Sequence, residues 1–373
     1  MTAKERADSK RPHKILTLDG GGIRGAMSVE ILAEIESIVS PNEGDTLSDY
    51  FDYISGTSTG AILAAGLSLG WRVDKLRRFY EEQGHAMFDK ASLIKRLQYK
   101  YDDGPLAELM KKEIGADVVL ESNRIKTLLM MVMRNATTDS PWPVSNNPYA
   151  KYNDKKREDN NGLIPLWQLV RASTAAPVFF PPECVTLGEK DFLFVDGGVT
   201  CYNNPSFQTF LMATTEPYGL NWQTGEKEML LVSVGTGTNP IAKPDLDAGD
   251  MNILYNASNL PVALMNAAST EQDFLCRVFG NCLWGEQIDR EIGDMCSSVN
   301  SMCKGPTDEK LFTYMRYNAE LTRSGLDHLG LKDIVPEEVR KLDSVAGIPD
   351  LQKIGRAVAQ QRVKAEHFSL FSK

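Results

Sequence analysis

The sequence predicts a three-layer α/β/α fold with a mostly parallel central sheet and an α-rich C-terminal extension. Over residues 1–240, short apolar runs typical of buried strands alternate with segments of helical periodicity. This alternation is the pattern of a parallel sheet covered by helices on both faces. Three of the predicted strands run directly into glycine-containing motifs. Because the carboxyl ends of parallel strands meet at one edge of a sheet, we expect these motifs to form a single active site.

The individual elements follow from the spacing of apolar residues. Met27, Ile31 and Ile35 recur at helical spacing, whereas residues 14–18 form a short apolar run that suits a strand. By the same criteria, the predicted strands cover residues 14–18, 50–54, 127–133, 192–195 and 228–235. The predicted helices cover residues 26–39, 61–69, 74–83, 166–173 and 206–214.

Composition along the chain predicts its domain organisation. Residues 1–13 are polar and charged and are expected to be disordered, whereas residues 14–240 form the catalytic domain. Within that domain, residues 135–162 are rich in Asn, Pro, Asp and Lys and are expected to form a flap or loop insertion. Beyond it the strand signals fade, and residues 241–373 are predicted to form an α-helical extension packed on the core. Its expected helices cover residues 260–279, 308–319 and 351–368.

Composition and charge narrow the functional classes. The chain has 373 residues, with 41 lysines and arginines against 50 aspartates and glutamates, a formal net charge of -9. This balance argues against binding of DNA or RNA polymers. The polar N-terminus and the lack of a long apolar segment predict a cytoplasmic protein in which any membrane contact is peripheral. The six cysteines contain no C-x-x-C pair, and we expect neither a metal site nor another cofactor.

Ser58 is the strongest candidate for a catalytic residue. It is the serine of a G-x-S-x-G pentapeptide that runs from Gly56 to Gly60, after a predicted strand and before a predicted helix. A tight turn at such a corner presents the serine Oγ at the end of a sheet, as in the nucleophile elbow of acyl hydrolases. The motif therefore predicts nucleophilic attack on an acyl group.

A serine nucleophile needs a base within hydrogen-bonding distance. The chain has four histidines, and none of them follows a predicted strand in a glycine turn. Asp196 does, because the predicted strand at residues 192–195 runs into Asp196, Gly197 and Gly198. Partial burial would raise the basicity of this carboxylate, and we therefore predict a Ser58–Asp196 dyad.

The first predicted strand runs into a glycine-rich loop that precedes a helix. The loop consists of Asp19, Gly20, Gly21, Gly22, Ile23, Arg24 and Gly25. Backbone N–H groups just before a helix N-terminus are suited to stabilise the oxyanion of a tetrahedral intermediate, and we assign this role to Gly20, Gly21 and Gly22. Arg24 is expected either to add charge or to anchor the loop.

The same loop permits a second interpretation. Residues 20–25 also match the G-x-G-x-x-G dinucleotide motif, and Glu43 or Asp45 is spaced for the acid that binds a ribose. A nucleotide-binding protein has no need of the Ser58 and Asp196 motifs. We therefore favour acyl transfer and keep nucleotide binding through this loop as the alternative.

With these motifs in place, residues 14–240 resemble the patatin-like phospholipases. The resemblance rests on the three motifs above and on the segments 172–177, 180–182, 203–205 and 232–237. It implies a patatin-like fold and a phospholipase that hydrolyses acyl esters of membrane lipids through a Ser-Asp dyad and an acyl-enzyme, without a metal. By position, it implies Ser58 as nucleophile and Asp196 as base, with the N–H groups of Gly21 and Gly22 and the Arg24 side chain in the oxyanion region.

More narrowly, the chain is similar to bacterial phospholipase effectors that cyclic oligonucleotides activate in antiviral defence. Residues 140–148 and 263–269 carry this similarity. It implies an allosteric cyclic oligonucleotide, bound in a basic and aromatic pocket to which Lys155, Arg157 and Arg277 are candidate contributors. An unregulated esterase and a lipid-binding module with an inactive site are the alternatives.

Overall fold

The computed structural model describes residues 1–87, 104–240, 247, 249, 253–297, 306, 307 and 309–372. Within them, one sheet contains the strands β1 His13–Leu18, β2 Tyr53–Thr57, β3 Leu128–Asn135, β4 Ser140–Ser145, β5 Glu183–Leu187, β6 Lys190–Asp196, β7 Met229–Val234, β8 Asn281–Trp284 and β9 Thr313–Tyr317. The strand order is β5-β6-β3-β2-β1-β7-β9-β8, and β4 also pairs with β3. The run from β3 to β8 is parallel, whereas β4, β5 and β6 join the sheet through antiparallel pairings. The predicted mostly parallel sheet is confirmed.

Helices cover both faces of this sheet. They are α1 Ala3–Ala7, α2 Gly25–Val39, α3 Leu47–Tyr50, α4 Thr59–Ser68, α5 Val73–Met87, α6 Gly104–Ile114, α7 Leu166–Ser173, α8 Ser206–Thr214, α9 Ile253–Phe279, α10 Arg323–His328, α11 Pro336–Val339 and α12 Ile348–Arg362. Successive side chains of a strand point to opposite faces. Accordingly, Leu16 of β1 belongs to a core cluster with α2, α4 and α12, whereas Ile15 belongs to a second cluster with α8. The predicted three-layer α/β/α fold is therefore confirmed.

Residues 1–13 differ from the predicted disordered segment. Ala3–Ala7 form α1, which begins with a capping box. The Arg6 side chain is buried and donates a hydrogen bond of 2.8 Å to Asp52, next to β2. His13 already belongs to β1. Polar composition suggested disorder, but the contact that orders this segment depends on a residue far away in the chain.

The described part of residues 241–373 is α-rich, as predicted, but it is not purely helical. The helix expected over residues 308–319 is wrong, because Thr313–Tyr317 form β9 and pair in parallel with β7. β8 lies next to β9 and completes that edge of the sheet. All of β9 is buried, although it contains Arg316, and a segment of five residues with neither strict alternation nor a continuous apolar run gives no clear strand signal in isolation. The domain boundary at residue 240 stays a prediction.

The predicted flap at residues 135–162 is partly regular. Its first part forms a hairpin, because β4 pairs in antiparallel fashion with β3. Its second part contains short 3₁₀ turns at Lys151–Asn153 and Asn161–Leu163. Among the described helices, none combines the length and apolar character that crossing a bilayer requires.

Candidate active site

Ser58 lies at the sharp corner between β2 and α4. Its backbone has φ 56° and ψ −123°, a positive-φ conformation that a serine rarely adopts. Gly56 and Gly60 permit this corner: a Cβ on Gly56 would lie 2.0 Å from the Gly60 carbonyl oxygen. A Cβ on Gly60 would in turn lie 2.2 Å from the Leu18 carbonyl oxygen of β1. This is the geometry of a nucleophile elbow at the carboxyl end of the sheet.

The Ser58 hydroxyl donates a hydrogen bond to Asp196. The distance from Oγ to Oδ2 is 2.6 Å, and both side chains are buried. The other carboxylate oxygen accepts a bond of 2.6 Å from the Gly198 N–H, within the turn Gly197–Val199 that follows β6. The structure therefore brings together the two residues that the sequence singled out and orients the carboxylate through the predicted glycine turn.

Burial determines the protonation chemistry of Asp196. Removal from water raises the pKa of this carboxyl group from 3.8 to about 6, although the hydrogen bonds from Ser58 and Gly198 favour the charged form. A carboxylate with a pKa near 6 is a stronger base than one in solvent. It is nevertheless ionised at neutral pH, as a general base must be.

A second serine holds the backbone of the nucleophile. Ser173, the last residue of α7, accepts a hydrogen bond of 2.9 Å from the Ser58 N–H. The same Oγ donates a bond of 2.6 Å to the Val132 carbonyl of β3. The corner is therefore connected to both α7 and β3. Sequence reasoning gave Ser173 no role, and the available signal was its position in the segment 172–177.

The glycine-rich loop lies beside Ser58. Gly21 and Gly22 line the same cavity as Ser58, and among the described residues neither N–H has an acceptor. Gly20 differs from the prediction, because its N–H donates a bond of 3.0 Å to the Asn203 carbonyl. That N–H is therefore not available to an oxyanion. The geometry leaves Gly21 and Gly22 as the candidate donors.

Arg24 supports this loop from within the protein. Its Nε donates a hydrogen bond of 3.3 Å to the Gly21 carbonyl. The side chain is buried and does not line the cavity. Burial lowers the pKa of its guanidinium to about 10, so it stays charged at neutral pH. Of the two predicted roles, anchoring fits the structure and direct contact with the oxyanion does not. Gly25 begins α2, packed closely against Thr59 of α4.

An arginine from the C-terminal region holds the first residue of the loop. Arg316 of β9 donates bonds of 2.8 Å to Asp19 Oδ1 and 2.6 Å to Ser233 Oγ. All three side chains are buried. Burial raises the pKa of Asp19, and the charge of Arg316 opposes this effect. Sequence reasoning missed Arg316, because it lies in the segment that was predicted to be helical.

A cavity of about 550 Å³ opens beside Ser58 and Asp196. Apart from the catalytic pair and the glycine loop, its walls are mainly apolar. They include Ile62, Leu106, Phe179, Phe180, Val262 and Met265. The volume and the apolar walls of this cavity suit a hydrophobic small molecule or an extended hydrocarbon chain. Two of the lining residues, Val262 and Met265, belong to α9, which lies beyond residue 240.

The geometry also bears on the alternative bases and ligands. All four histidines lie in described segments, and none of them lines this cavity. For dinucleotide binding, Glu43 or Asp45 would have to lie near the glycine loop. However, the 15 residues of α2, about 22 Å of helix, separate the glycine loop from the segment that contains Glu43 and Asp45. The acid and the loop are therefore at opposite ends of α2, which disfavours that alternative.

The three basic residues suggested for a nucleotide pocket are separated. Arg277 is buried and is held by Asp273 at 2.7 Å and by the Glu286 carbonyl at 2.6 Å. Lys155 and Arg157 instead lie together in a second cavity, of about 700 Å³. Lys155 and Arg157 therefore remain candidates for one nucleotide pocket, whereas Arg277 does not line that cavity.

This chain is similar in sequence to known proteins. A family model described as patatin-like phospholipase matches residues 16–209, which include Ser58, Asp196 and the glycine loop. A cGAMP-activated phospholipase of Vibrio cholerae is 33% identical over 213 residues, which covers 53% of this chain and 57% of that protein. A cGAMP-activated phospholipase of Escherichia coli strain TW11681 is 31% identical over 234 residues, which covers 60% of this chain and 62% of that protein.

A third relative has a different activator in its name. This cUMP-AMP-activated phospholipase of Escherichia coli is 28% identical over 234 residues, which covers 62% of this chain and 67% of that protein. The chain spans less than two thirds of the length of the first two relatives.

Proposed function

The chain belongs to the patatin-like phospholipase family, and from this premise we propose that it is a serine acyl hydrolase that cleaves the acyl esters of membrane phospholipids. One observation carries the proposal: Ser58 Oγ donates a 2.6 Å hydrogen bond to Asp196 Oδ2, and both residues line an apolar cavity. A nucleophile, its base and unpaired backbone N–H groups in one cavity are the parts that acyl transfer needs.

In the proposed mechanism, Ser58 Oγ attacks the ester carbonyl carbon while Asp196 takes the hydroxyl proton. Asp196 then returns this proton to the departing alcohol oxygen, the ester C–O bond breaks, and the acyl group remains on Ser58. Asp196 then takes a proton from a water molecule whose oxygen attacks the acyl carbon. The bond between Ser58 Oγ and the acyl carbon breaks, Asp196 gives the proton to Ser58 Oγ, and the fatty acid leaves. A carboxyl group with a pKa of about 6 suits both roles, because it exchanges protons readily near neutral pH.

The tetrahedral intermediates carry a negative oxygen that needs donors. The N–H groups of Gly21 and Gly22 are the proposed donors, because both line the cavity beside Ser58. In other hydrolases, loss of one such donor costs about 3–4 kcal/mol of transition-state stabilisation. The Arg24 and Arg316 contacts keep this loop in place before the substrate arrives.

The same cavity supports a lipid as the substrate. Its apolar walls contain no lysine or arginine that would bind a free carboxylate or phosphate, among the residues that the structure describes. An acyl chain gains about 0.8 kcal/mol for each methylene group that it buries. A long fatty acyl ester is therefore favoured over a small polar ester.

Peripheral membrane contact is part of the proposal, with α9 as the contact surface. Residues 253–270 of α9 contain no charged residue, although the chain has a net charge of -9. Val262 and Met265 face the cavity, whereas Leu260 and Leu264 are 52% and 64% exposed. Val178, at the cavity, is 72% exposed. These exposed apolar groups would let the protein take a lipid directly from the bilayer surface.

We extend the proposal to regulation, because the named relatives are a cGAMP-activated and a cUMP-AMP-activated phospholipase. A cyclic oligonucleotide would activate this chain at the inner face of the membrane, as part of an antiviral response. Activity that does not change with either nucleotide would instead favour the unregulated esterase.

The direct test replaces Ser58 with alanine and follows released fatty acids by mass spectrometry, with phospholipid vesicles and with a soluble short-chain ester. We expect hydrolysis of both substrates to fall by more than about a thousandfold, because the nucleophile is lost. Ser37→Ala, on the exposed surface of α2, is the matched control and should keep wild-type activity. Hydrolysis by folded Ser58→Ala at the wild-type rate would refute the proposed mechanism.

A further inference from the structure

A second cavity, of about 700 Å³, lies apart from the catalytic one. We call it the cationic cavity. Its walls are formed by residues 2–4, by most of residues 121–125 and of residues 146–157, and by Gly162. Among the described residues, none lines both cavities. Its volume is within the range of about 300–1,000 Å³ that is usual for small-molecule sites.

The charge of this cavity is opposite to that of the whole chain. Lys4, Lys151, Lys155, Lys156 and Arg157 line it, which makes five basic side chains, whereas Glu121 and Asp154 are its two acidic ones. The net charge of the wall is therefore +3, in a chain with a formal net charge of -9. A concave cationic wall on an anionic protein concentrates anionic ligands.

Two of the five basic side chains, Lys155 and Lys156, are accessible and not held in tight pairs, whereas Arg157 forms a two-bond ion pair of 2.7 and 2.8 Å with Asp159. Lys155 lies 3.9 Å from Glu121, and its side chain is 83% exposed, a geometry in which ion pairs contribute little. Lys156 is also exposed. These two lysines can therefore turn toward a bound anion without breaking a strong contact.

Aromatic and amide groups complete the wall. Tyr149 lines the cavity and is 45% exposed, and the ring of Tyr152 lies 4.8 Å below the Arg157 guanidinium. The amides of Asn146 and Asn153 also line it. Exposed rings stack on nucleobases and lysines bind phosphodiesters, whereas the Asn146 amide is already used within the protein, by the Leu129 N–H and the Thr127 carbonyl.

We infer that the cationic cavity binds the cyclic dinucleotide that activates the enzyme, with Lys155 and Lys156 on its phosphodiester groups. This inference rests on the proposed function for the existence of such an activator. It adds the location of the site, the class of ligand and the route to the nucleophile.

The route runs through β4 and β3. Asn153 Nδ2 donates a bond of 2.6 Å to the Ser145 carbonyl of β4, and Asn146 Oδ1 accepts a bond of 2.7 Å from the Leu129 N–H of β3. Three residues further along β3, the Val132 carbonyl accepts from Ser173 Oγ, which binds the Ser58 N–H. The strand distance from Leu129 to Val132 is about 10 Å. A ligand that displaces Asn146 and Asn153 would therefore also displace β3, the strand that is connected to Ser58 through Ser173.

The experiment compares the wild type with Lys155→Glu/Lys156→Glu. Isothermal titration calorimetry with cGAMP and cUMP-AMP measures binding, and hydrolysis of a soluble ester measures activation. The control, Lys332→Glu/Lys364→Glu, makes the same change in charge at exposed residues outside both cavities. Thermal unfolding verifies that both variants are folded.

We expect the cavity variant to bind the activating nucleotide at least about tenfold more weakly than the wild type, whereas the control binds normally. Nucleotide should also slow amide hydrogen exchange over β3 and β4 in the wild type and the control, but not in the cavity variant. Equal affinity in the cavity variant and the wild type would place the ligand elsewhere and overturn the inference.

The remaining outcomes separate this inference from the proposed function. If Ser58→Ala stops hydrolysis but neither nucleotide binds the wild type, the cavity inference is wrong and the hydrolase stands. If Ser58→Ala remains active, the proposed mechanism is wrong, and calorimetry with the lysine variants still decides whether the cavity binds the nucleotide.

Discussion

Replacing Asp196 with asparagine tests both the mechanism and the electrostatics of the site. Asparagine has nearly the same shape, and its side-chain oxygen can still accept from the Gly198 N–H. The variant loses the negative charge and with it the base for Ser58. We expect hydrolysis to be abolished, and we also expect a change in how stability depends on pH.

The magnitude follows from the pKa of Asp196. Its carboxyl group has a pKa of 3.8 in solvent and about 6 in the folded protein, mainly because burial disfavours the charge. Between these values the folded state keeps a proton that the unfolded state has released. The free energy of unfolding of the wild type therefore falls as pH rises from about 4 to above 6. A difference of roughly 2 pKa units corresponds to about 3 kcal/mol in full, of which about half is lost between about pH 5 and pH 8.

Urea unfolding of the wild type and Asp196→Asn, followed by circular dichroism at several pH values, measures this difference. Relative to the wild type, the variant should gain about 1.5 kcal/mol as the pH rises from about 5 to about 8. Asp139→Asn, at an exposed carboxylate in the turn between β3 and β4, is the matched control. In the same series, kcat/KM of the wild type should rise with pH through about 6, because Asp196 must be ionised to accept the proton.

Two results would refute this reasoning. Parallel stability curves for the wild type and Asp196→Asn would mean that burial does not raise the pKa of this group. An acid limb of kcat/KM near pH 4, the range of a solvated carboxylate, would mean that the base is exposed in the active enzyme.

Three further predictions concern the surroundings of the dyad. Gly22→Ala should abolish ester hydrolysis, because Gly22 has φ +58° and a Cβ there would lie 2.2 Å from the Leu342 carbonyl oxygen. If this variant hydrolysed the ester at the wild-type rate, the loop would be excluded as the oxyanion site. Arg316→Met should lower the free energy of unfolding by about 3–5 kcal/mol, because it leaves the buried carboxylate of Asp19 unpaired. A loss of less than about 1 kcal/mol, measured by urea unfolding, would contradict this expectation. Leu264→Glu should weaken vesicle binding in a flotation assay more than tenfold, because insertion of a leucine into the bilayer contributes about 2 kcal/mol. It should not slow hydrolysis of a soluble ester. Leu370→Glu, at another exposed leucine, is the control, and equal binding by both variants would exclude α9 as the membrane contact.

The parts of the fold that the sequence predicted well are those whose signal is local. The bounds of α7 and α8 agree with the predicted helices, because apolar residues at helical spacing mark one buried face. Ser58 and Asp196 were recognisable because each lies in a glycine motif at a strand end. The structure brings these two motifs together, although 138 residues separate them in the chain.

The parts that the sequence did not predict depend on distant partners. Gly20 looked equivalent to Gly21 and Gly22, but the Asn203 carbonyl uses its N–H. Residues 1–13 looked disordered, but Asp52 holds Arg6 in the interior. In each case the residue type permits several states, and the contact that selects one of them comes from a remote part of the chain.

The region after residue 240 contributes to the candidate site in three separate ways. Arg316 of β9 pairs with Asp19 at the start of the glycine loop, and Met265 of α9 forms a wall of the catalytic cavity. Ser269 of α9 accepts a bond of 2.9 Å from Asn203 Nδ2, and the Asn203 carbonyl in turn holds the Gly20 N–H. The catalytic pair belongs to the first 240 residues, but the oxyanion loop takes its position from both regions. A movement of α9 or β9 would therefore displace the glycine loop, and we expect this displacement to change the rate of acyl transfer.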